Sequence, residues 1–101
     1  MVRQIKWTYK AQLNRKEILL YWKNRNKSVN YSIKLNVLFK KAAELLASHP
    51  ATGRKTSIEG VRVKLVRDYL LFYTYTNDEL VILTIWDSRR NPETNPYPLN
   101  Q

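Results

Sequence analysis

Cations and aromatic rings in the second half of this chain are the residues best suited to chemistry. Arg54 and Lys55 follow Gly53. Arg62 and Lys64 alternate with Val61, Val63 and Leu65. Tyr73 and Tyr75 repeat the spacing of two, and Trp86, Arg89 and Arg90 close the last apolar run. On a strand, residues two apart share a face. Arg, Lys and Tyr gathered on one sheet face can hold a phosphodiester and stack a base. Such a set can also cleave RNA without a metal: the neighbouring 2′-OH attacks its phosphate, cations hold the developing charge, and Tyr or Arg moves protons. The same residues also suit a plain packing role, with Tyr rings against Arg stems and Arg89 or Arg90 paired to Asp87 or Glu93.

Other catalytic signals are missing. The sequence has no Gly-rich phosphate loop, no His-Glu-x-x-His and no Gly-x-Ser-x-Gly. It has no cysteine, which excludes a thiol nucleophile, a disulfide framework and Cys-ligated metal. His49 is the single histidine and precedes Pro50 at a helix end, a position that suits a solvent-facing or capping role. No metal and no cofactor are therefore expected.

The elements that position these groups follow from hydrophobic spacing. Val2 to Thr8 alternates and reads as a first strand, after which Thr8 can cap a helix. Residues 9–25 lack Gly and Pro. Ala11, Ile18 and Trp22 fall on one helical face with Tyr21 beside it, while Leu13 and Leu20 lie nearly opposite. Asn24 to Lys27 reads as a turn and Ser28 as the next N-cap. Residues 29–48 form a second helix whose core face holds Tyr31, Leu35, Leu38, Phe39, Ala42, Leu45 and Leu46. His49-Pro50 ends it.

The period then changes to two. Residues 61–65 make a strand, Arg67-Asp68 a turn, and Tyr69 to Thr76 a central strand. Asn77-Asp78 makes another turn, followed by a strand over Leu80 to Asp87. Three prolines after Asn91 suit no regular element, so residues 93–101 are expected to form an extended or partly mobile tail. The fold class is α+β, in the order β-α-α-β-β-β, with a helical hairpin packed on a small, mainly antiparallel sheet. One domain over residues 1–92 is expected.

Length and charge narrow the function. A chain of 101 residues supports one core. Eighteen Lys and Arg against eight Asp and Glu give a net charge of +10, which attracts polyanions or an acidic protein. The charge is uneven. Residues 1–50 hold eleven basic and two acidic residues, a net of +9; residues 51–101 hold seven and six, a net of +1. No apolar run reaches the ~18 residues of a membrane span, and no signal-like segment follows Met1. A cytoplasmic protein without a membrane partner is expected.

The pattern Gly53-Arg54, Gly60-Val61-Arg62-Val63-Lys64, Tyr69-Leu70-Leu71-Phe72-Tyr73, Val81-Ile82-Leu83 and Trp86-Asp87-Ser88-Arg89-Arg90-Asn91-Pro92 resembles the RelE/ParE toxins of type II toxin–antitoxin systems. Ala11, Ile18 and Tyr21-Trp22 are similar to that family's first helix, and the resemblance spans roughly residues 3–92. It implies a growth-arresting toxin of a plasmid-stabilisation type, encoded beside an acidic antitoxin. Two activities come with the family. RelE-like members cleave mRNA in the ribosomal A site, which would make Arg62, Lys64, Tyr73 and Arg89 catalytic. ParE-like members poison DNA gyrase and are not enzymes. The last strand ends in Trp86-Asp87 where nuclease members offer an acid/base group, and the Gly53-Arg54 and Tyr69-to-Tyr73 pattern is closer to ParE-like members.

In either case Arg54, Lys55, Trp86 and Arg90 are candidate contacts to the target or to nucleic acid. Leu13 and Leu20 on the first helix and Ile33 and Val37 on the second are candidate antitoxin-docking residues; packing of the two helices against each other is the other role open to them. A basic nucleic-acid-binding module without toxicity, and a toxin fold kept as a structural subunit, are the alternatives of another class.

Overall fold

The structure, a computed structural model, describes residues 2–26, 29–90, 92–95 and 97. Strand β1 (Gln4–Trp7) leads into helix α1 (Tyr9–Asn26), and helix α2 (Asn30–Ser48) follows. A 3-10 turn at Pro50–Thr52 joins α2 to β2 (Arg54–Lys55), β3 (Arg62–Val66), β4 (Tyr69–Tyr75) and β5 (Glu79–Asp87). The five strands stand in the order β1-β5-β4-β3-β2. All neighbours are antiparallel except β1 and β5. The helical crossover between β1 and the rest of the chain permits that parallel pair.

Local chemistry sets the boundaries. Thr8 caps α1: its Oγ1 accepts the Ala11 N–H at 3.0 Å. It lies just outside β1, which is shorter than Val2 to Thr8. Ser28, expected to cap α2, lies outside the described residues. Pro50 closes α2 as expected, and the His49 N–H donates to the Leu45 carbonyl at 2.8 Å. The β3–β4 hairpin turns at Arg67-Asp68, with Arg67 in the left-handed region (φ 57). The β4–β5 turn is held by the Thr76 hydroxyl, which accepts from the N–H groups of Asp78 and Glu79.

The core lies between the helices and one sheet face. Leu35, Phe39, Ala42, Ala43, Leu46 and Ala47 of α2, with Ala11 of α1, bury against Tyr69, Leu71 and Tyr73 of β4 and Leu80, Ile82 and Ile85 of β5. Leu45, expected on this face, is exposed; Ala43 and Ala47 take its place, because the packed stripe runs on the other side of Leu46. The alternation along β5 shifts at a bulge. Phe72 pairs with Thr84 but Tyr73 with Ile82, so Leu83 is the extra residue, and Ile82 and Ile85 both reach the core.

The opposite sheet face has its own small cluster. Val63 and Phe72 pair across β3 and β4 and are buried there. The segment after β5 was expected to stand off as a tail. Instead it makes a 3-10 turn at Pro92–Thr94 and lays the half-buried Tyr97 ring 5.2 Å from Phe72. Phe72 supplies an apolar platform on a face that the helices leave open.

Candidate functional site

Cross-strand partners share a sheet face. Arg62 pairs with Tyr73 and Lys64 with Leu71, so all four point to the side the helices cover. Tyr73 is fully buried. Its hydroxyl donates to the Pro50 carbonyl and accepts the Gly53 N–H at 3.0 Å. Burial raises its pKa above the ordinary phenol value, against the opposing effect of the Gly53 bond. The Arg62 guanidinium donates to the carbonyls of Gly53, at 2.7 Å, and Ala51, at 3.3 Å. Lys64 is half-buried in a shallow apolar patch with Leu38, Leu45 and Leu65. Arg54 and Lys55 are exposed on the edge strand, with Lys55 directly opposite Arg62. Tyr73 and Arg62 thus fasten the Pro50–Gly53 connection to the sheet.

Trp86, Arg89 and Arg90 are elsewhere. Through Tyr73, Arg62 is level with Ile82. Trp86 is four residues further along β5, about 13 Å at the usual strand rise, and two strands across. The single basic-aromatic face expected from spacing is therefore two separate groups.

The second group lines a cleft of about 630 Å³ between α1 and the end of β5. β1 pairs with β5 only through Ile82, so the last residues of β5 have an edge with no strand beside it. Side chains near and within α1 occupy that edge. The Thr8 hydroxyl donates to the Leu83 carbonyl at 2.8 Å. Asn14 Oδ1 accepts the Ile85 N–H at 3.2 Å and the Thr84 hydroxyl at 2.6 Å. Beyond them the cleft opens onto Lys10, Glu17 and Tyr21 on one wall and Trp86, Asp87, Arg89 and Arg90 on the other.

Its charges are ordered. Asp87 accepts from Arg89 Nε and Nη2, both at 2.9 Å, and from the Arg89 N–H. The guanidinium holds the Asp87 carboxyl below the ordinary carboxylate value, and Asp87 raises Arg89 in turn. Arg89 also stands 5.9 Å from the Trp22 ring, and Arg90 5.3 Å from the Trp86 ring. Trp22 Nε1 donates to the Tyr69 hydroxyl at 2.7 Å, and burial raises the Tyr69 pKa. The cleft pairs cations with flat aromatic surface, a composition that recurs at the centre of protein interfaces. Lys10 and Asn14 were not singled out from the sequence, and Tyr21 and Tyr69 entered only as parts of an apolar face and a resemblance, although Lys10, Asn14 and Tyr21 sit at helical spacing along one side of α1.

Leu13, Leu20, Ile33 and Val37 lie outside the buried core. All four are exposed.

Residues 5–92 match the family described as ParE toxin of type II toxin–antitoxin system, parDE. No curated protein matches the chain. Among solved structures, the chromosomal ParDE toxin–antitoxin system from P. aeruginosa is similar, with a TM-score of 0.73 at 19% identity over 85% of this chain and 96% of that one. The E. coli DinJ–YafQ toxin–antitoxin complex is similar at a TM-score of 0.53 and 14% identity, over 86% and 93%. These likenesses show a shared fold. The family match covers most of the chain, which therefore belongs to the ParE toxins and is the toxin component of a type II toxin–antitoxin system.

Proposed function

We propose that this toxin arrests growth by binding and poisoning DNA gyrase, with Trp86, Arg89 and Arg90 at the contact and Arg54 and Lys55 as outlying cations. The burial of Tyr73 carries the reading. As a nuclease the chain would need Arg62, Lys64, Tyr73 and Arg89 around one phosphate. The Tyr73 hydroxyl is instead enclosed between Pro50 and Gly53, Arg62 holds two backbone carbonyls, and Arg89 is paired with Asp87 at the far end of β5. The match to ParE toxins supports the same choice.

The chain acts in the cytoplasm beside an acidic antitoxin encoded by the neighbouring gene; its charge of +10 supports that partner. No helix among the described residues is long and apolar enough to cross a membrane.

Induced expression tests the proposal. Arrest should come with DNA damage while mRNA stays intact, and co-expression of the neighbouring gene should restore growth. Arrest with codon-specific mRNA cuts and undamaged DNA would overturn it in favour of the RelE-like ribosome-dependent endoribonuclease.

A further inference from the structure

The cleft at the end of β5 has two unlike walls. Lys10, Glu17 and Tyr21 stand on the α1 side at helical spacing, and Trp86 and Arg90 on the sheet side. Its rings are held in place. Tyr21 is 49% exposed, yet its ring stands edge-on to Trp22 at 5.2 Å, and Trp22 is set edge-on to Tyr31 at 4.9 Å. Trp86 is half-buried, and Arg90 lies over its ring at 5.3 Å. The cleft therefore joins braced aromatic rings to cations.

We propose that this cleft binds single-stranded DNA, with a base stacked on Trp86 and the adjoining phosphates on Arg90 and Lys10. The inference rests on the gyrase reading for its source of DNA and deepens it: the toxin grips the strand that the enzyme has cut as well as the enzyme. The stacked base must be an unpaired one. Inside a duplex each base has neighbours above and below, so its face is closed to a side chain. Where gyrase has broken both strands, bases beside the break have lost a neighbour. The cleft, at about 630 Å³, has the size of a small-ligand pocket, which admits a nucleotide and excludes a double helix.

The charges fit a phosphate beside a base. A guanidinium over a ring engages it with its face, and the N–H groups in its plane are the ones that grip phosphate oxygens. Lys10, exposed on the opposite wall, supplies a point charge on a flexible stem. Asp87 would repel a phosphate, but two bonds from Arg89, both at 2.9 Å, neutralise it. Glu17 is the other acid lining the cleft, and a carboxylate there can accept the amino group of a base. An acidic protein segment would meet the cations and leave the rings without a planar partner. A nucleotide satisfies ring and cation together. The net charge of +10 draws a polyanion in.

Fluorescence anisotropy of a short labelled DNA strand tests this on the purified chain, without gyrase. A second strand of the same length carries abasic sugars, and so has phosphates but no bases. The wild type should bind the normal strand ~10-fold more tightly than the abasic one, the scale of one stacked base. Trp86→Ala should lose that preference and bind both alike, and Trp86→Phe should recover most of it. Lys10→Ala with Arg90→Ala should make log Kd less steep against log salt by about 1.4, at ~0.7 for each of two phosphates. Circular dichroism checks that each variant is folded; the abasic comparison needs no variant at all.

Equal wild-type affinity for the normal and abasic strands would reduce the contact to general charge and overturn the inference. A preference that Trp86→Ala keeps would overturn it too. Failure of the wild type to bind at low salt, with supercoiling still inhibited, would overturn the site and leave the gyrase reading standing. Preference for the same sequence as RNA by ~10-fold or more would make the 2′-OH a determinant and contradict a DNA site. Strand binding as described, with gyrase uninhibited, would uphold the site and overturn the gyrase reading.

Discussion

Gly53 has extended backbone angles that any residue adopts (φ −74, ψ 157). What demands a glycine is the Tyr73 ring: a Cβ at position 53 would stand 2.1 Å from the Tyr73 hydroxyl oxygen. Gly53→Ala is expected to push the ring out, break its bonds to Pro50 and Gly53, and cost about 3 kcal/mol. That lowers the melting temperature by roughly 10 °C or more for a domain of this size. Tyr73→Phe keeps the packing and loses the two hydrogen bonds, so thermal denaturation should place it between Gly53→Ala and the wild type. A wild-type melting temperature for Gly53→Ala would show that the close approach is absent. The Gly53-Arg54 pair was visible in the sequence only as part of a resemblance. Its physical reason depends on a ring twenty residues away, which spacing does not reveal. Asp87 and Arg89 were read as a possible ion pair, and they form one. Because Arg89 lowers the Asp87 pKa, the folded state binds fewer protons here than the unfolded chain. The stabilisation is present above the ordinary carboxyl pKa and is lost as pH falls below about 4, through the lowered value. Melting temperature should therefore drop less steeply with acid in Asp87→Asn than in the wild type. Equal slopes would mean that the pair contributes nothing.

The helices and the strands with alternating side chains, the four-residue β1 among them, were legible; the two-residue β2 was not. α1 was found to within a residue, because residues 9–25 lack Gly and Pro and Thr8 caps them. Its faces were harder to rank, since apolar residues lie on several sides and only tertiary packing decides which are buried. The two-residue β2 is too short to carry any periodicity, so nothing in the spacing marks Arg54 and Lys55 as a strand. The bulge at Leu83 resets the alternation of β5 without any sequence mark. The run after Asn91 looked free because its prolines suit neither helix nor strand, yet Tyr97 reaches Phe72 from irregular backbone. Tyr97→Ala should lower the melting temperature by a few degrees, consistent with about 1 kcal/mol for one aromatic contact. Phe72→Leu should make the chain indifferent to that change. An unaltered melting temperature for Tyr97→Ala in the wild-type background would restore the expectation of a dispensable tail.

At the scale of the molecule, α1 stands between two surfaces. One side contributes to the cleft at the end of β5, where Trp86, Arg89 and Arg90 meet Lys10 and Tyr21. The outer side forms a groove with α2. The sequence announced the basic hairpin through its uneven charge, and the family through its spaced motifs. It could not separate Arg62 from Trp86, because strand register and not spacing sets their distance. Gyrase supercoiling of relaxed plasmid, titrated with the purified toxin, separates a gyrase poison from a ribosome-dependent nuclease. Wild-type toxin should inhibit the reaction and leave cleaved DNA. Trp86→Ala with Arg90→Ala should need at least ~10-fold more protein, the loss of one interface anchor. Uninhibited gyrase, alongside mRNA cut by the same toxin on programmed ribosomes, would contradict the gyrase reading.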